Sequence, residues 1–156
     1  MCSLTTPRSR TRSLTSEAAG ISLFEFHATL THLDDGLETL HHSVQLLREK
    51  SGRGEDDINL MLFETALAEI GANAIMYGRP PGSVDPIVQY SLRLEGDTAI
   101  ASLTHPGPPL HNQLKRTMPA AMSEAGRGLP IARKVLDELR YQRDGEVNTW
   151  RLVKRL

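Results

Sequence analysis

One long amphipathic stretch, from Leu60 to Gly78, constrains the fold of this chain more than any other feature. Apolar side chains recur there with the spacing of a helix that buries a single face: Leu60, Phe63, Leu67, Ile70 and Ala74. The stretch ends at Gly78, which is followed by Pro80-Pro81. Glycine can take the left-handed conformation after a last helical turn, and proline cannot continue a helix. The sequence therefore predicts a core helix with a sharp end.

Two polar residues on this helix suggest chemistry. Glu69 and Asn73 stand four positions apart, so they lie one above the other on a single helix face. A carboxylate can accept a proton, and an amide oxygen can coordinate a hard cation such as Mg²⁺. The alternative for this stretch alone is an ordinary helix whose polar side faces water.

Composition limits the class of protein. The chain has 156 residues with 39% hydrophobic content, which is enough for one domain with a real core. A net charge of −1 gives no global electrostatic argument for nucleic acid or a membrane as a direct partner. Cys2 is the single cysteine, so no internal disulfide forms, and neither a signal peptide nor a membrane span is predicted. We expect a cytoplasmic protein.

The rest of the chain divides into a tail and a domain. Residues 1–20 are rich in Ser, Thr and Arg, which predicts a disordered N-terminal tail, and residues 21–156 form the domain. The domain begins with a strand over residues 22–28 and a helix that ends near Lys50. After the helix described above, two strands over 87–94 and 98–104 form a hairpin around Glu95-Gly96-Asp97. On the first of these strands, we expect one face to be buried, and it carries Val88, Tyr90, Leu92 and Leu94.

The C-terminal third combines an irregular segment with regular elements. Residues 105–126 hold four prolines and two glycines, which predicts a long loop of the kind that often serves as a lid. A third helix follows, with its inward positions at Leu129, Ala132, Val135, Leu136 and Leu139. Strands over 140–143 and 147–153 form a closing hairpin, in which Trp150 is expected to pack. Strands joined by hairpins imply a two-layer α/β sandwich with a mostly antiparallel sheet and three helices on one face.

Four separated motifs in this order resemble the GHKL (Bergerat-fold) ATPase superfamily, and in particular the anti-sigma-factor serine kinases of bacterial partner-switching systems. The resemblance rests on Ala68–Ala74 with Tyr77-Gly78, on Gly107–Leu110, on Gly126–Ile131 and on Trp150–Leu156. Glycines at a helix start let backbone N–H groups approach a phosphate, and the helix dipole favours negative charge there. A short Gly-x-Gly alone is equally consistent with a hinge before a helix.

The resemblance implies an ATP and Mg²⁺ site with residues in named roles. Asn73 matches the family's Mg²⁺ ligand, and Glu69 matches the general base that deprotonates a serine hydroxyl of a protein substrate. The cofactor-binding positions that the resemblance implies are Asn73, His105, Gly107, Gly126, Arg127, Gly128 and Leu129. One position departs from the family pattern, because His105-Pro106-Gly107 stands where the family has Asp-x-Gly, whose aspartate accepts a hydrogen bond from the adenine amino group. Neutral imidazole can accept a hydrogen bond through one ring nitrogen, and protonated imidazole cannot.

The resemblance also implies partners and leaves alternatives open. The leading hypothesis is an anti-sigma factor with ATP-dependent protein serine kinase activity, which binds a sigma factor and phosphorylates an anti-anti-sigma protein of the STAS type. The alternative is a non-catalytic anti-sigma binding module that has weak or lost ATP binding. The catalytic domain of a sensor histidine kinase is disfavoured, because no phosphoacceptor helix or membrane segment precedes the domain. Relatives commonly form homodimers, so a homodimer is also expected.

Overall fold

The computed structural model describes residues 24–78, 82–83, 86–109 and 128–156. The elements follow the order predicted above: β1 (Phe24–Leu30), α1 (Leu33–Ser51), α2 (Ile58–Tyr77), β2 (Val88–Glu95), β3 (Thr98–Pro106), α3 (Gly128–Val135), β4 (Glu138–Asp144) and β5 (Val147–Arg155). The predicted tail over 1–20 and most of the predicted lid lie outside the described residues.

The five strands form one sheet in the order β1-β2-β3-β5-β4, and every pairing between neighbours is antiparallel. Within the described residues, three helices lie on one face of this sheet, with α1 against β1 and β2, α2 against β3 and β5, and α3 against α2 and β4. This arrangement confirms the two-layer α/β sandwich. The helix α2 packs against β3 and β5, which are inner strands of the sheet. Residues near the ends of these three elements therefore lie close together.

The β2–β3 hairpin follows the sequence pattern closely. Its inward face buries the four residues predicted for it: Val88, Tyr90, Leu92 and Leu94. Gly96 has a φ of 57° in the turn, a left-handed conformation that glycine adopts without steric cost. The Tyr90 hydroxyl and Ser43 Oγ lie 2.7 Å apart, which joins the sheet to α1 through a buried hydrogen bond. Burial raises the pKa of Tyr90, so its hydroxyl stays protonated.

Helix α2 is the centre of the core. Eight of its residues are buried: Leu60, Phe63, Ala66, Leu67, Ile70, Gly71, Ala74 and Ile75. The helix begins after Asp57, whose side chain accepts a hydrogen bond from the Leu60 amide at 3.0 Å, as an N-cap does. This bond, together with Arg53 at 2.9 Å, lowers the pKa of Asp57. By length and composition α2 would also fit a membrane span; in this domain it packs against β3 and β5 and contacts both α1 and α3 within the helical layer.

The third helix is shorter than its apolar spacing predicted. The prediction placed Leu136 and Leu139 on it, and that part of the prediction is wrong, because α3 ends at Val135 and Leu139 belongs to β4. Leu136 is still buried, but just beyond the helix. The Asp137 amide donates to the Val153 carbonyl at 2.9 Å. From this residue onward the backbone pairs with β5, although the apolar periodicity alone would predict that the helix continues.

Candidate functional site

The first part of the site is the outer face of α2. Glu69 is exposed and Asn73 is half-buried, one turn further along the same helix. The neighbouring residues Ile70 and Ala74 are fully buried and fix the rotation of the helix. Burial of the apolar stripe therefore presents the acid and the amide on one side, as their spacing predicted.

The start of α3 lies directly against Glu69. A Cβ atom added to Gly128 would stand 2.5 Å from Glu69 Oε2 and 3.2 Å from its Cβ. Glycine at the first position of α3 thus makes room for the Glu69 side chain. Leu129, the next residue, is 7% exposed and holds α3 in the core. The structure therefore brings together Glu69, Gly128 and Leu129; Gly126 and Arg127 lie outside the described residues.

The end of β3 forms the second part of the site and contains His105 and Gly107. His105 is 1% exposed and points toward the helical layer. A Cβ atom on Gly78, at the end of α2, would stand 3.0 Å from His105 Cβ and would overlap the Ala74 carbonyl oxygen. Gly107 has a φ of 124°, in the region that favours glycine. The end of α2 and the end of β3 are therefore in close contact.

Both ring nitrogens of His105 are engaged within the protein. The Trp150 indole N–H donates to His105 Nε2 at 3.3 Å, and the Pro106 carbonyl oxygen lies 2.8 Å from His105 Nδ1. Indole nitrogen can only donate and a carbonyl can only accept, so these partners assign the proton to Nδ1. The imidazole is neutral, with its one acceptor nitrogen occupied by Trp150.

Three further side chains surround His105 and Trp150. The Asn148 amide nitrogen donates to the Gly107 carbonyl at 3.2 Å and to the His105 carbonyl at 3.4 Å. Arg143 Nη1 donates to the Gly107 carbonyl at 2.8 Å and to Asn148 Oδ1 at 2.9 Å. The Tyr141 hydroxyl also donates to Asn148 Oδ1. We call His105, Tyr141, Arg143, Asn148 and Trp150 the His105 cluster.

The electrostatics of the cluster keep His105 neutral. Burial lowers the pKa of His105, and the nearby Arg143 guanidinium lowers it further, while the bond to the Pro106 carbonyl partly offsets these effects. Protonation would also place an N–H on Nε2 against the indole N–H of Trp150. The cluster is therefore compatible with a neutral imidazole and disfavours imidazolium.

Sequence reasoning singled out His105 and Gly107 and missed the rest of the cluster. The signal that could have found it is the register of the β4–β5 hairpin, in which Arg143 pairs with Asn148 and Tyr141 pairs with Trp150. The closing hairpin predicted from strands over 140–143 and 147–153, with its turn at residues 144–146, already implies these pairs. The Tyr141 and Trp150 rings lie 4.8 Å apart between centroids, which is the packing predicted for Trp150.

The two parts of the site differ in how well they fit a nucleotide. At the phosphate end, Gly128 has no side chain, and the Glu69 carboxylate lies against the position that a Cβ atom would take; backbone N–H groups at a helix start suit a phosphate. At the other end, the acceptors of His105 and Asn148 are occupied by Trp150, Tyr141 and Arg143. The described residues thus fit a phosphate group better than they fit an adenine amino group.

A shallow groove of about 410 Å³ lies on the sheet face opposite the helices, and its polar lining includes His27, Thr29, Gln89, Ser91, Ser102 and Thr104. None of the predicted site residues lines it. Within the described ranges, no three His, Cys, Asp or Glu side chains come together as a metal site. A cation at Asn73 would therefore need ligands from a bound phosphate.

The family described as histidine kinase-like ATPase domain matches residues 30–154. Comparison with curated proteins gives no match. Among solved structures, the nucleotide-free catalytic domain of the histidine kinase ThkA is similar, with 17% sequence identity, a TM-score of 0.48, and coverage of 86% of this chain and 95% of that one.

Proposed function

The chain belongs to the family of histidine kinase-like ATPase domains, and from this premise we propose that it is an ATP-dependent protein serine kinase that acts as an anti-sigma factor. The observation that carries the proposal is the contact between Glu69 and Gly128, with Asn73 one turn away from Glu69. An acid, an amide and a glycine helix start from separate parts of the chain meet at one place. Their order along the sequence resembles that of the anti-sigma-factor serine kinases.

Each residue has a role in this proposal. A bound Mg²⁺·ATP would supply the transferable phosphoryl group and part of the neutralising charge. The Asn73 amide oxygen would bind the cation. The Glu69 carboxylate would accept the proton of a serine hydroxyl, and its exposure leaves it open to a protein substrate. Gly128 would let the phosphate approach the backbone at the start of α3.

The proposed partners follow from the resemblance of the motifs. The substrate would be a serine of an anti-anti-sigma protein with a STAS domain, and the regulated partner would be a sigma factor. Both interactions would take place in the cytoplasm. The histidine kinase-like family is broader than this subgroup, so phosphate transfer to serine is part of the proposal.

A second function is favoured by the His105 cluster. Because the acceptor nitrogen of His105 is bonded to Trp150, the chain could use the same fold as a non-catalytic anti-sigma binding module. Such a module would bind a sigma factor equally well with and without nucleotide. A kinase-type anti-sigma factor would instead show binding that depends on the nucleotide state.

The test is calorimetric titration of the full chain with ATP in the presence of Mg²⁺, followed by incubation with candidate STAS-domain proteins and labelled ATP. The proposal expects saturable binding and label on a serine. Saturable binding to a sigma factor with no detectable ATP binding would replace the kinase with the non-catalytic module.

A further inference from the structure

The outer face of α2 carries a second apolar stripe, in addition to the one that the core buries. Its members are spaced alternately three and four residues apart, as in a coiled-coil seam: Ile58, Met61, Thr65, Ala68 and Ala72. The hydroxyl of Thr65 donates to the Met61 carbonyl at 3.0 Å. We call these five residues the outer stripe, and it is apolar along about four helical turns.

A helix that is apolar on both faces is normally covered on both. The sheet covers the inner face of α2, and α1 and α3 lie on its two sides, but Ile58 remains 68% exposed and Met61 50% exposed. Single exposed apolar side chains are normal on a protein surface. A series of apolar positions at heptad spacing instead suits a second helix, whose larger side chains would fit over Ala68 and Ala72.

Acidic side chains flank the outer stripe. In the heptad pattern, Glu64 and Glu69 take the two positions next to the seam, where charged residues select the partner. Glu64 lies on the α1 side, because it bonds to His41 of α1. Glu38 stands one turn before His41 and extends the acidic edge along α1. Glu69 lies on the α3 side, against Gly128.

The α1 edge is the more acidic of the two. Arg48 lies 4.0 Å from Glu64 and offsets part of its charge, but Arg48 itself is buried. Residues 33–42 of α1 contain no lysine or arginine, and their exposed acids are Asp34, Asp35 and Glu38. On the other side, α3 carries the exposed cations Arg133 and Lys134.

We infer that the outer stripe is the docking surface for an amphipathic helix of another protein, with lysine or arginine beside its apolar face. Apolar side chains of that helix would cover Ile58 and Met61, and its cations would meet the acidic edge along α1. A second copy of α2 fits less well. In a parallel pair, Glu64 of one copy would face Glu69 of the other, and like charges there are unfavourable. The inference goes beyond the proposed function and needs no nucleotide.

The test is fluorescence anisotropy of the full chain without nucleotide, using a labelled peptide of three heptads with Leu at the seam positions and Lys beside them. One control peptide has the same composition in shuffled order, and another has Glu in place of Lys. We expect saturable binding of the first peptide, about tenfold or more tighter than that of either control. Absence of binding, or equal binding of the shuffled peptide, would overturn the inference.

A matched pair of variants locates the binding. Met61→Lys should weaken it about tenfold or more, because the change removes an apolar contact and repels the cations of the peptide. Val147→Lys is the control, since Val147 is an exposed apolar residue at the start of β5 and the charge changes equally. Equal effects of the two variants would overturn the inference. If Met61→Lys does not fold, as judged by circular dichroism, the comparison of peptides on the natural chain decides.

Two further outcomes would assign the outer stripe to another occupant and overturn the inference. The first is a dimer of the natural chain, seen by sedimentation, that Met61→Lys converts into a monomer. The second is peptide binding that occurs only after residues 111–126 are replaced by a Gly-Ser linker, which would assign the stripe to that part of the chain itself. These measurements contain no ATP, so the titration described above decides the proposed kinase activity separately.

Discussion

Trp150 and His105 are joined by a buried hydrogen bond of 3.3 Å between two central strands, although they are 45 residues apart in the sequence. The bond fixes the proton of the imidazole on Nδ1 and removes its acceptor nitrogen from use by a ligand. It therefore links the stability of the sheet to the chemistry of the site.

Acid should destabilise the domain through His105. The pKa of His105 is lowered by burial in the folded state, so the unfolded chain binds more protons than the folded chain once the pH falls below about 6.5. The stabilisation is fully present above that value and is lost as the pH falls through the lowered pKa. The free energy of unfolding, measured by urea titration from pH 8 to pH 5, should decrease with falling pH.

A comparison of variants isolates this contribution. His105→Gln should flatten the part of the pH dependence that lies below about pH 6.5, at the cost of lower stability at neutral pH. His27→Gln is the matched control, because that side chain is 65% exposed. Equal slopes for the natural chain and His105→Gln would show that His105 is not the titrating group.

Gly78→Ala should destabilise the domain where α2 meets β3. The added Cβ would overlap the Ala74 carbonyl oxygen and stand 3.0 Å from His105 Cβ and 3.1 Å from Val88 Cγ2. Overpacking of this kind costs about 1–3 kcal/mol, which thermal unfolding would detect. Gly54→Ala is the matched control, because its Cβ would contact only the flexible Asp56 side chain and the Asp56 amide. Equal melting temperatures for both variants would contradict the close contact.

Gly128→Ala should impair the site with little effect on folding. Its Cβ would stand 2.5 Å from Glu69 Oε2, and the end of a flexible side chain can move away. We expect a change in the free energy of unfolding of less than about 1 kcal/mol and a clear fall in the rate of phosphate transfer. Unaltered transfer would show that the position of Glu69 against α3 does not matter for the reaction.

Glu69→Gln should separate binding from chemistry. The amide keeps the shape of the side chain and cannot accept a proton as a base, so ATP affinity should stay near that of the natural chain. Phosphate transfer should fall by about 10²–10⁴-fold, the usual contribution of a general base. Glu49→Gln, on the exposed end of α1, serves as the control. Transfer at the natural rate in Glu69→Gln would mean that the base lies elsewhere.

Sequence reasoning predicted those parts of the fold that depend on local pattern. The period-two alternation of β2 and the Gly96 turn determine the central hairpin. Helix α2 ends before Gly78 as predicted, but Gly78 has a φ of −79° and not the left-handed conformation that the sequence suggested. The end of α3 could not be predicted in this way, because the pairing of Glu138 with Val153 on β5 interrupts a helical period that continues in the sequence. Tertiary contacts decide such boundaries.

The site likewise combines residues that local pattern predicts with contacts that only the tertiary structure determines. Glu69 and Asn73 were predictable as a pair because four-residue spacing alone places them on one helix face. The bond between Trp150 and His105 depends on the register between β3 and β5, in which Leu103 pairs with Trp150 and His105 with Asn148. No local pattern specifies that register. For this reason the sequence left His105 open as a hydrogen-bond acceptor, whereas the structure shows its acceptor nitrogen in use.

The most direct test of the central claim is the Mg²⁺ dependence of ATP affinity in Asn73→Ala, measured by calorimetry beside Asn59→Ala, an exposed asparagine in the first turn of the same helix. In the natural chain and in Asn59→Ala, Mg²⁺ should strengthen ATP binding. In Asn73→Ala that gain should disappear, with a loss of affinity of about tenfold or more in the presence of Mg²⁺. An equal gain from Mg²⁺ in all three proteins would contradict a cation site on α2.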